Sequence, residues 1–317
     1  MLRSPRLLRL SVTDRCNLRC RYCLPEQGVP KVAHAALLSL ERMAEVARWL
    51  CRRVEIERIK LTGGEPLVRS GVDRLIGLLR AIPGVREVSL TTNGSLLARQ
   101  VEALQAAGLR RVTVSLDSLD ASRYRQLTRG GRVEDALAGI SAALSAGLAP
   151  VKLNAVLQQS TWMDDVPRLL DYAAGNGLEL RFIELMRTGT EKAWCNSEFV
   201  PLPAVRRWLS NRTQVLPVAG QASAPALMTH VLWGGASLQV GWIAPRSQPF
   251  CDRCDRLRLD ARGRVHRCLM DQRFLELETL LGEHGSDAAD RALCAYLAGK
   301  AAPEHMDKAD AMILIGG

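Results

Sequence analysis

Six of the nine cysteines fall into two tight groups. Cys16, Cys20 and Cys23 sit in "CNLRCRYC", with three residues between the first pair and two between the second. Cys251, Cys254 and Cys268 sit in "CDRCDRLRLDARGRVHRCL". Clustered thiolates bind zinc or iron–sulfur clusters, and a structural zinc ion asks for four protein ligands. Around the first group no fourth ligand is at hand, since His34 and Cys51 lie well beyond the loop. A cubane cluster held by three thiolates keeps one iron open, and an open iron binds a small molecule. For the second group, His266 is near enough in sequence to complete a zinc site. Strand alternation would put His266 and Cys268 on one face, so spacing alone leaves both metals open there. Cys51 is expected to be a buried thiol on the apolar side of a helix, and Cys195 and Cys294 to be bystanders.

The elements that carry these groups follow from hydrophobic period. Segments 7–12, 56–62, 85–91, 111–116, 151–156 and 178–184 are short and rich in Val, Ile, Leu and Thr, as strands are. Between them lie stretches of helical period. In "LERMAEVARWL", Leu40, Met43, Ala44, Ala47 and Leu50 recur on one face. "LLARQVEALQAAG" and "VEDALAGISAALSAG" each stop at glycine. Six strand–helix repeats imply a parallel sheet with helices packed outside it, either an open doubly wound sheet or a barrel. "LTGGEP", residues 61–66, then falls at the carboxyl end of the second strand, where such folds place their sites.

After about residue 188 the rhythm changes. "RTGTEKAWCNSEF" reads as loop, and "HVLWGG" with "LQVGWIAP" as a hairpin. "RLRLDARGRVHRC" reads as strand, turn and strand around Gly263, and a last helix is expected near 287–299. The domain boundary is placed at 188.

The chain has 317 residues, 47% of them hydrophobic and 24% charged, which is globular composition. Its formal charge of +10 is spread along the sequence, and aromatics make up only 4%. Nucleic acid is one partner such a charge allows, and a small polyanionic substrate fits at least as well. No apolar run reaches spanning length, and the start lacks the features of a secretory signal, so a soluble, cytoplasmic protein is expected.

C-x-x-x-C-x-x-C between a first strand and a first helix resembles the signature of radical S-adenosylmethionine (SAM) enzymes. The resemblance implies a [4Fe–4S] cluster on Cys16, Cys20 and Cys23, whose open iron chelates SAM and whose electron yields a 5′-deoxyadenosyl radical. It implies that Tyr22 packs near the adenine, and that Gly64, Ser115 and Met186 contact SAM. The second cysteine group, followed by R-L-R-L and a Gly turn, with a Gly-Gly end to the chain, resembles the GTP 3′,8-cyclases of molybdenum cofactor biosynthesis over essentially the whole sequence. The tail "AMILIGG" and residues 66–74 depart from that pattern away from ligand positions.

What this family resemblance implies is specific. The fold would be a partial (β/α)6 TIM-like barrel, residues 1–188, with a C-terminal α+β domain, residues 189–317, carrying a second [4Fe–4S] cluster on Cys251, Cys254 and Cys268. GTP would lie between the clusters, held by Arg9, Lys60, Thr91, Lys152 and the stretch Arg256, Leu257 and Arg258, with Arg181 as a further candidate. Gly316 and Gly317 would reach into the active site. The radical would take the ribose 3′ hydrogen, and C3′ would bond to guanine C8. An external electron donor, a cyclic pyranopterin monophosphate synthase taking the product, and a homodimer are the implied partners, with neither nucleic acid nor membrane. The alternative is a radical SAM peptide-modifying enzyme with an auxiliary cluster.

Overall fold

The computed structural model describes residues 5–28, 32–187, 191–218, 225–271, 273–283 and 285–298. Six parallel strands form its centre: β1 (Leu7–Ser11), β2 (Arg58–Thr62), β3 (Glu87–Thr92), β4 (Arg111–Ser115), β5 (Val151–Leu157) and β6 (Glu179–Glu184). They lie within two residues of the segments expected from sequence. Their alternation sorts side chains into two kinds of row. Leu8, Ile59 and Val88 are neighbours in register, and all are buried against the helices. Arg9, Lys60 and Ser89, one residue on, form the next row, facing a central cavity. A period of two therefore separates core from site on every strand.

The covering helices are α1 (Leu40–Arg53), α2 (Val72–Arg80), α3 (Val101–Ala106), α4 (Ala121–Thr128), α5 (Val133–Ser145) and α6 (Trp162–Gly175). On α1 the apolar stripe Met43, Ala44, Val46, Ala47 and Leu50 is buried. Its start is fixed by Ser39, whose hydroxyl accepts from the Arg42 amide at 3.1 Å, and Arg52 and Arg53 favour its carboxyl end. Gly139 lets α5 close on the turn after β3, because a Cβ there would stand 2.3 Å from the Gly94 carbonyl oxygen.

Beyond residue 188 the chain adds α7 (Lys192–Ser197), α8 (Leu202–Ser210), β7 (Val215–Pro217), β8 (Leu227–Trp233), β9 (Ala236–Ile243), β10 (Arg256–Leu259), β11 (Val265–His266), α9 (Leu277–Glu283) and α10 (Gly285–Ala298). The hairpins and the last helix match expectation, whereas α7 occupies part of a stretch read as loop. These strands build no sheet of their own. The order is β11-β10-β1-β2-β3-β4-β5-β6-β9-β8-β7, so β10 joins β1 and β9 joins β6, both in parallel. The carboxyl-terminal part thus extends the central sheet at both edges and satisfies the backbone groups that six strands alone would leave open. Arg42–Glu278 and Arg53–Asp290 ion pairs, at 2.8 and 2.5 Å, fasten α9 and α10 to α1.

Candidate active site

The inward rows enclose a cavity of about 440 Å³ that runs along the central strands, from Leu7, Arg58, Glu87 and Arg111 at their starts to the loops beyond their carboxyl ends. Arg9, Cys16, Cys20, Tyr22, Cys23, Lys60, Gly64, Thr91, Ser115, Lys152, Arg181, Met186, Arg256 and Arg258 all line it. Residues drawn from nearly the whole length of the sequence therefore meet around one space.

The first cysteine group sits on the loop after β1. The amides of Cys23 and Leu24 both bond to the Cys20 carbonyl, at 2.9 and 3.0 Å, turning the chain so that the thiols point inward. "LTGGEP" buttresses this loop from β2. The Gly64 amide bonds to the Thr13 carbonyl and that of Glu65 to the Arg15 carbonyl, each at 2.8 Å. A Cβ on Gly63 would lie 2.7 Å from the Thr13 oxygen, so the close approach excludes a side chain. Buried Glu65 accepts from the Thr92 hydroxyl and the Asn93 amide, both at 2.7 Å, and burial lifts its pKa to about 7. Asn93 in turn donates to Asn17 of the cysteine loop at 2.9 Å.

Tyr22 is fixed by a residue that sequence reading passed over. Its hydroxyl donates to Asp117 Oδ2 at 2.6 Å, and Asp117 Oδ1 accepts from the Val156 amide at 2.7 Å. The cysteine loop is thereby tied to both β4 and β5. Burial raises the Asp117 carboxyl to about 6. The available signal was position: Asp117 lies two residues past Ser115 in "VSLD". Cys195, by sequence a bystander, is buried on α7 and packs with Tyr22, Leu127 and Leu185 beside Cys20 and Cys23. Cys51 is only half-buried, and Cys294 is exposed.

The opposite wall is cationic. Arg9 stands between Arg258 on β10 and Lys60 on β2, in register with both. Burial, then Arg9, Arg181 and Lys152, push the Lys60 ammonium down to about 7. Burial and the neighbouring guanidinium of Arg256 hold Arg258 down to about 10, and Arg9 too lies well below its usual value. Burial also lowers Lys152, although Glu179 is ion-paired with it at 2.7 Å. Concentrated buried positive charge of this kind favours an anion. Arg256 and Arg258 face the cavity as expected. Leu257 does not, because its side chain is fully buried in the apolar core on the other face of β10. Only its main chain is left to serve a ligand.

The second cysteine group lies beside this wall. The Cys254 amide bonds to the Cys251 carbonyl at 3.2 Å, and the Met270 amide to Cys268 Sγ at 3.4 Å. His266 does not join it. Its Nε2 lies 3.1 Å from Oδ2 of Asp260, which also accepts from Arg264 Nε at 2.7 Å. Gly316 and Gly317 lie outside the described residues.

Both thiol groups fit iron–sulfur clusters by the chemistry of their donors. Burial lifts the Cys16 thiol to about 11, and burial with the neighbouring thiols drives Cys20 well above its ordinary value. Cys251 is raised likewise, by burial and then by Cys268 and Cys254. Such thiolates form when a cationic centre binds them. Three thiolates suit a cubane, in which each takes a different iron and the fourth iron stays open, whereas a structural zinc site takes four ligands.

Residues 10–173 match the Radical SAM superfamily, and residues 178–306 match Molybdenum Cofactor Synthesis C. A GTP 3′,8-cyclase of Pelotomaculum thermopropionicum is 43% identical over 276 residues, covering 87% of this chain and 85% of that one. One of Moorella thermoacetica is 45% identical over 263 residues, covering 83% and 80%. GTP 3′,8-cyclase 1 of Pseudomonas aeruginosa is 41% identical over 277 residues, covering 87% and 83%. Among solved structures, Streptococcus suis SuiB bound to S-adenosylmethionine superposes with a TM-score of 0.60 at 15% identity. That alignment takes in 86% of this chain and 61% of SuiB, and is a likeness of fold. The chain belongs to the radical SAM superfamily and, within it, to the GTP 3′,8-cyclase family.

Proposed function

We propose that this protein is a GTP 3′,8-cyclase, forming (8S)-3′,8-cyclo-7,8-dihydroguanosine 5′-triphosphate as the first step of molybdenum cofactor biosynthesis. The observation that carries the reading is the joining, in one cavity, of an inward-facing cysteine triad with a row of cations. Cys16, Cys20 and Cys23 would hold the first [4Fe–4S] cluster, and Cys251, Cys254 and Cys268 the second. When bound, the first cluster and SAM supply the radical that takes the ribose 3′ hydrogen.

The chain's own residues position the reactants. Tyr22, Gly64, Ser115 and Met186 line the same cavity as the first triad and would receive SAM. Arg9, Lys60, Lys152, Arg256 and Arg258 would hold the triphosphate, with Thr91 and the Leu257 main chain as further polar contacts. Each charge-assisted bond contributes about 1.5–3 kcal/mol. Arginines suit two-pronged contacts with phosphate, and lysines point contacts. Gly316 and Gly317 would complete the site, their lack of side chains allowing close approach. The alternative, modification of a peptide, leaves the cation row without a ligand.

The division at residue 188 is proposed as the functional one, with the radical-generating part before it and the second-cluster part after it. An external electron donor, delivery of the product to cyclic pyranopterin monophosphate synthase, a homodimer and a cytoplasmic location belong to the same proposal. Among the described residues no helix is long and apolar enough to cross a membrane. The test is anaerobic incubation of cluster-loaded protein with GTP, SAM and dithionite. A cyclised product of unchanged mass and altered retention supports the proposal, and 5′-deoxyadenosine without it rejects the substrate.

A further inference from the structure

A buried carboxylate stands behind two of the cations that line the cavity. Glu179 opens β6, in register with Lys152 on β5. Its Oε2 lies 2.7 Å from Lys152 Nζ, and its Oε1 lies 2.6 Å from both Nε and Nη2 of Arg181. Lys152 and Arg181 line the cavity, whereas Glu179 does not and is buried. Among the described residues neither cation has another ion-pair partner. Gly241 on β9 is in register with Arg181, and a Cβ there would stand 3.0 Å from Arg181 Cγ. The missing side chain leaves Arg181 its room, and Glu179 fixes where the guanidinium goes. Burial opposes a charge on Glu179, yet Arg181 and Lys152 hold its carboxyl below the usual carboxylate range.

We infer that Glu179 is a positioning residue, clamping Lys152 and Arg181 side by side so that together they take hold of the substrate's phosphate chain. The inference rests on the proposed function for the nucleotide, while the clamp itself concerns only the phosphates. A free lysine or arginine side chain carries about 2 kcal/mol of rotamer entropy. Held in advance by Glu179, the two need not be ordered when the anion arrives. Lys152 keeps ammonium hydrogens, and Arg181 its Nη1, for a ligand. Glu179 also favours the charged form of Lys152, which burial and Arg181 depress. Its own negative charge works against an anion, and distance decides which effect wins. A phosphate oxygen bonded on the far side of either cation stands roughly 5 Å from the carboxylate, about twice its distance from the cation. It therefore gains more from the cation than it loses to Glu179.

The test is equilibrium binding of GTP, inorganic triphosphate and guanosine to cluster-loaded protein. E179Q keeps the volume of the side chain and removes its charge, and E179A removes both. Each is expected to weaken GTP and inorganic triphosphate about tenfold and to leave guanosine unchanged, with iron content at the level of the intact protein. E179D keeps the charge and should regain part of the loss seen in E179A. Equal losses for guanosine and triphosphate would reduce Glu179 to a structural tie between β5 and β6 and overturn the inference. Tighter triphosphate binding in E179Q would overturn it too, because the carboxylate would then act only as a repelling charge. If triphosphate binding responds as expected while the intact protein never cyclises GTP, the positioning role stands and the assigned nucleotide falls.

Discussion

Arg9 on β1 and Lys60 on β2 stand side by side in register, both facing inward. Two cations so placed disfavour each other's charge, and burial together with this holds the Lys60 ammonium down to about 7. Below that pH the ammonium is already charged and GTP binding takes up no proton there. Above it, Lys60 is mostly neutral in the empty site, and the triphosphate must draw a proton onto it. Affinity for GTP should therefore fall as pH rises above about 7, by up to about tenfold per unit from this group. Equilibrium binding from about pH 6 to pH 9 checks this. Lys60→Met should bind more weakly at low pH and lose the slope, and a flat wild-type profile would show that Lys60 does not face the triphosphate.

The two cysteine groups should separate chemically. Cys20→Ala is expected to abolish reductive cleavage of SAM. Cys268→Ala should retain 5′-deoxyadenosine formation and lose GTP cyclisation. Intact protein should carry about eight irons and each variant fewer. Cyclisation surviving the loss of Cys268 would remove the second group from the substrate site.

The Tyr22–Asp117 bond gives a third test, at the level of the fold. Tyr22→Phe leaves a buried carboxylate oxygen without its donor, a loss of about 1–3 kcal/mol. Asp117→Ala should cost more, because it also strands the Val156 amide. Thermal unfolding of the cluster-free protein reads both. A double variant no worse than Asp117→Ala alone would show the coupling, and additive losses would show that Tyr22 and Asp117 act apart.

The sequence made much of this arrangement legible. Strong period-two strands gave the six central elements, and the inward position of Arg9 and Lys60 follows from Leu8 and Ile59 packing outward. Local rules reach less far where distant segments meet. Nothing in "RLRL" says that β10 pairs with β1, so the extension of the sheet at both edges was hidden. Asp117, Asp260 and Cys195 owe their partners to tertiary contact, and short motifs do not reveal such partners. Leu257 shows how alternation divides a binding stretch: its side chain turns away from those of Arg256 and Arg258, so a role there falls to its main chain.

The tail lies outside the described residues, and its assignment is open to direct trial. Deleting Gly316 and Gly317 should leave iron content and SAM cleavage unchanged and remove the cyclised product. Equal product from the truncated and full chains would show that the terminal glycines play no part.

Hydrogen transfer from substrate to SAM tests the central claim most directly. GTP carrying deuterium at the ribose 3′ position, incubated anaerobically with SAM, dithionite and cluster-loaded protein, should give 5′-deoxyadenosine heavier by one deuterium. That transfer should vanish in Cys20→Ala and fall sharply in Arg258→Ala. Unlabelled 5′-deoxyadenosine from the wild-type protein would contradict the account, because the radical would then be drawing its hydrogen from somewhere other than the nucleotide that this cavity is built to hold.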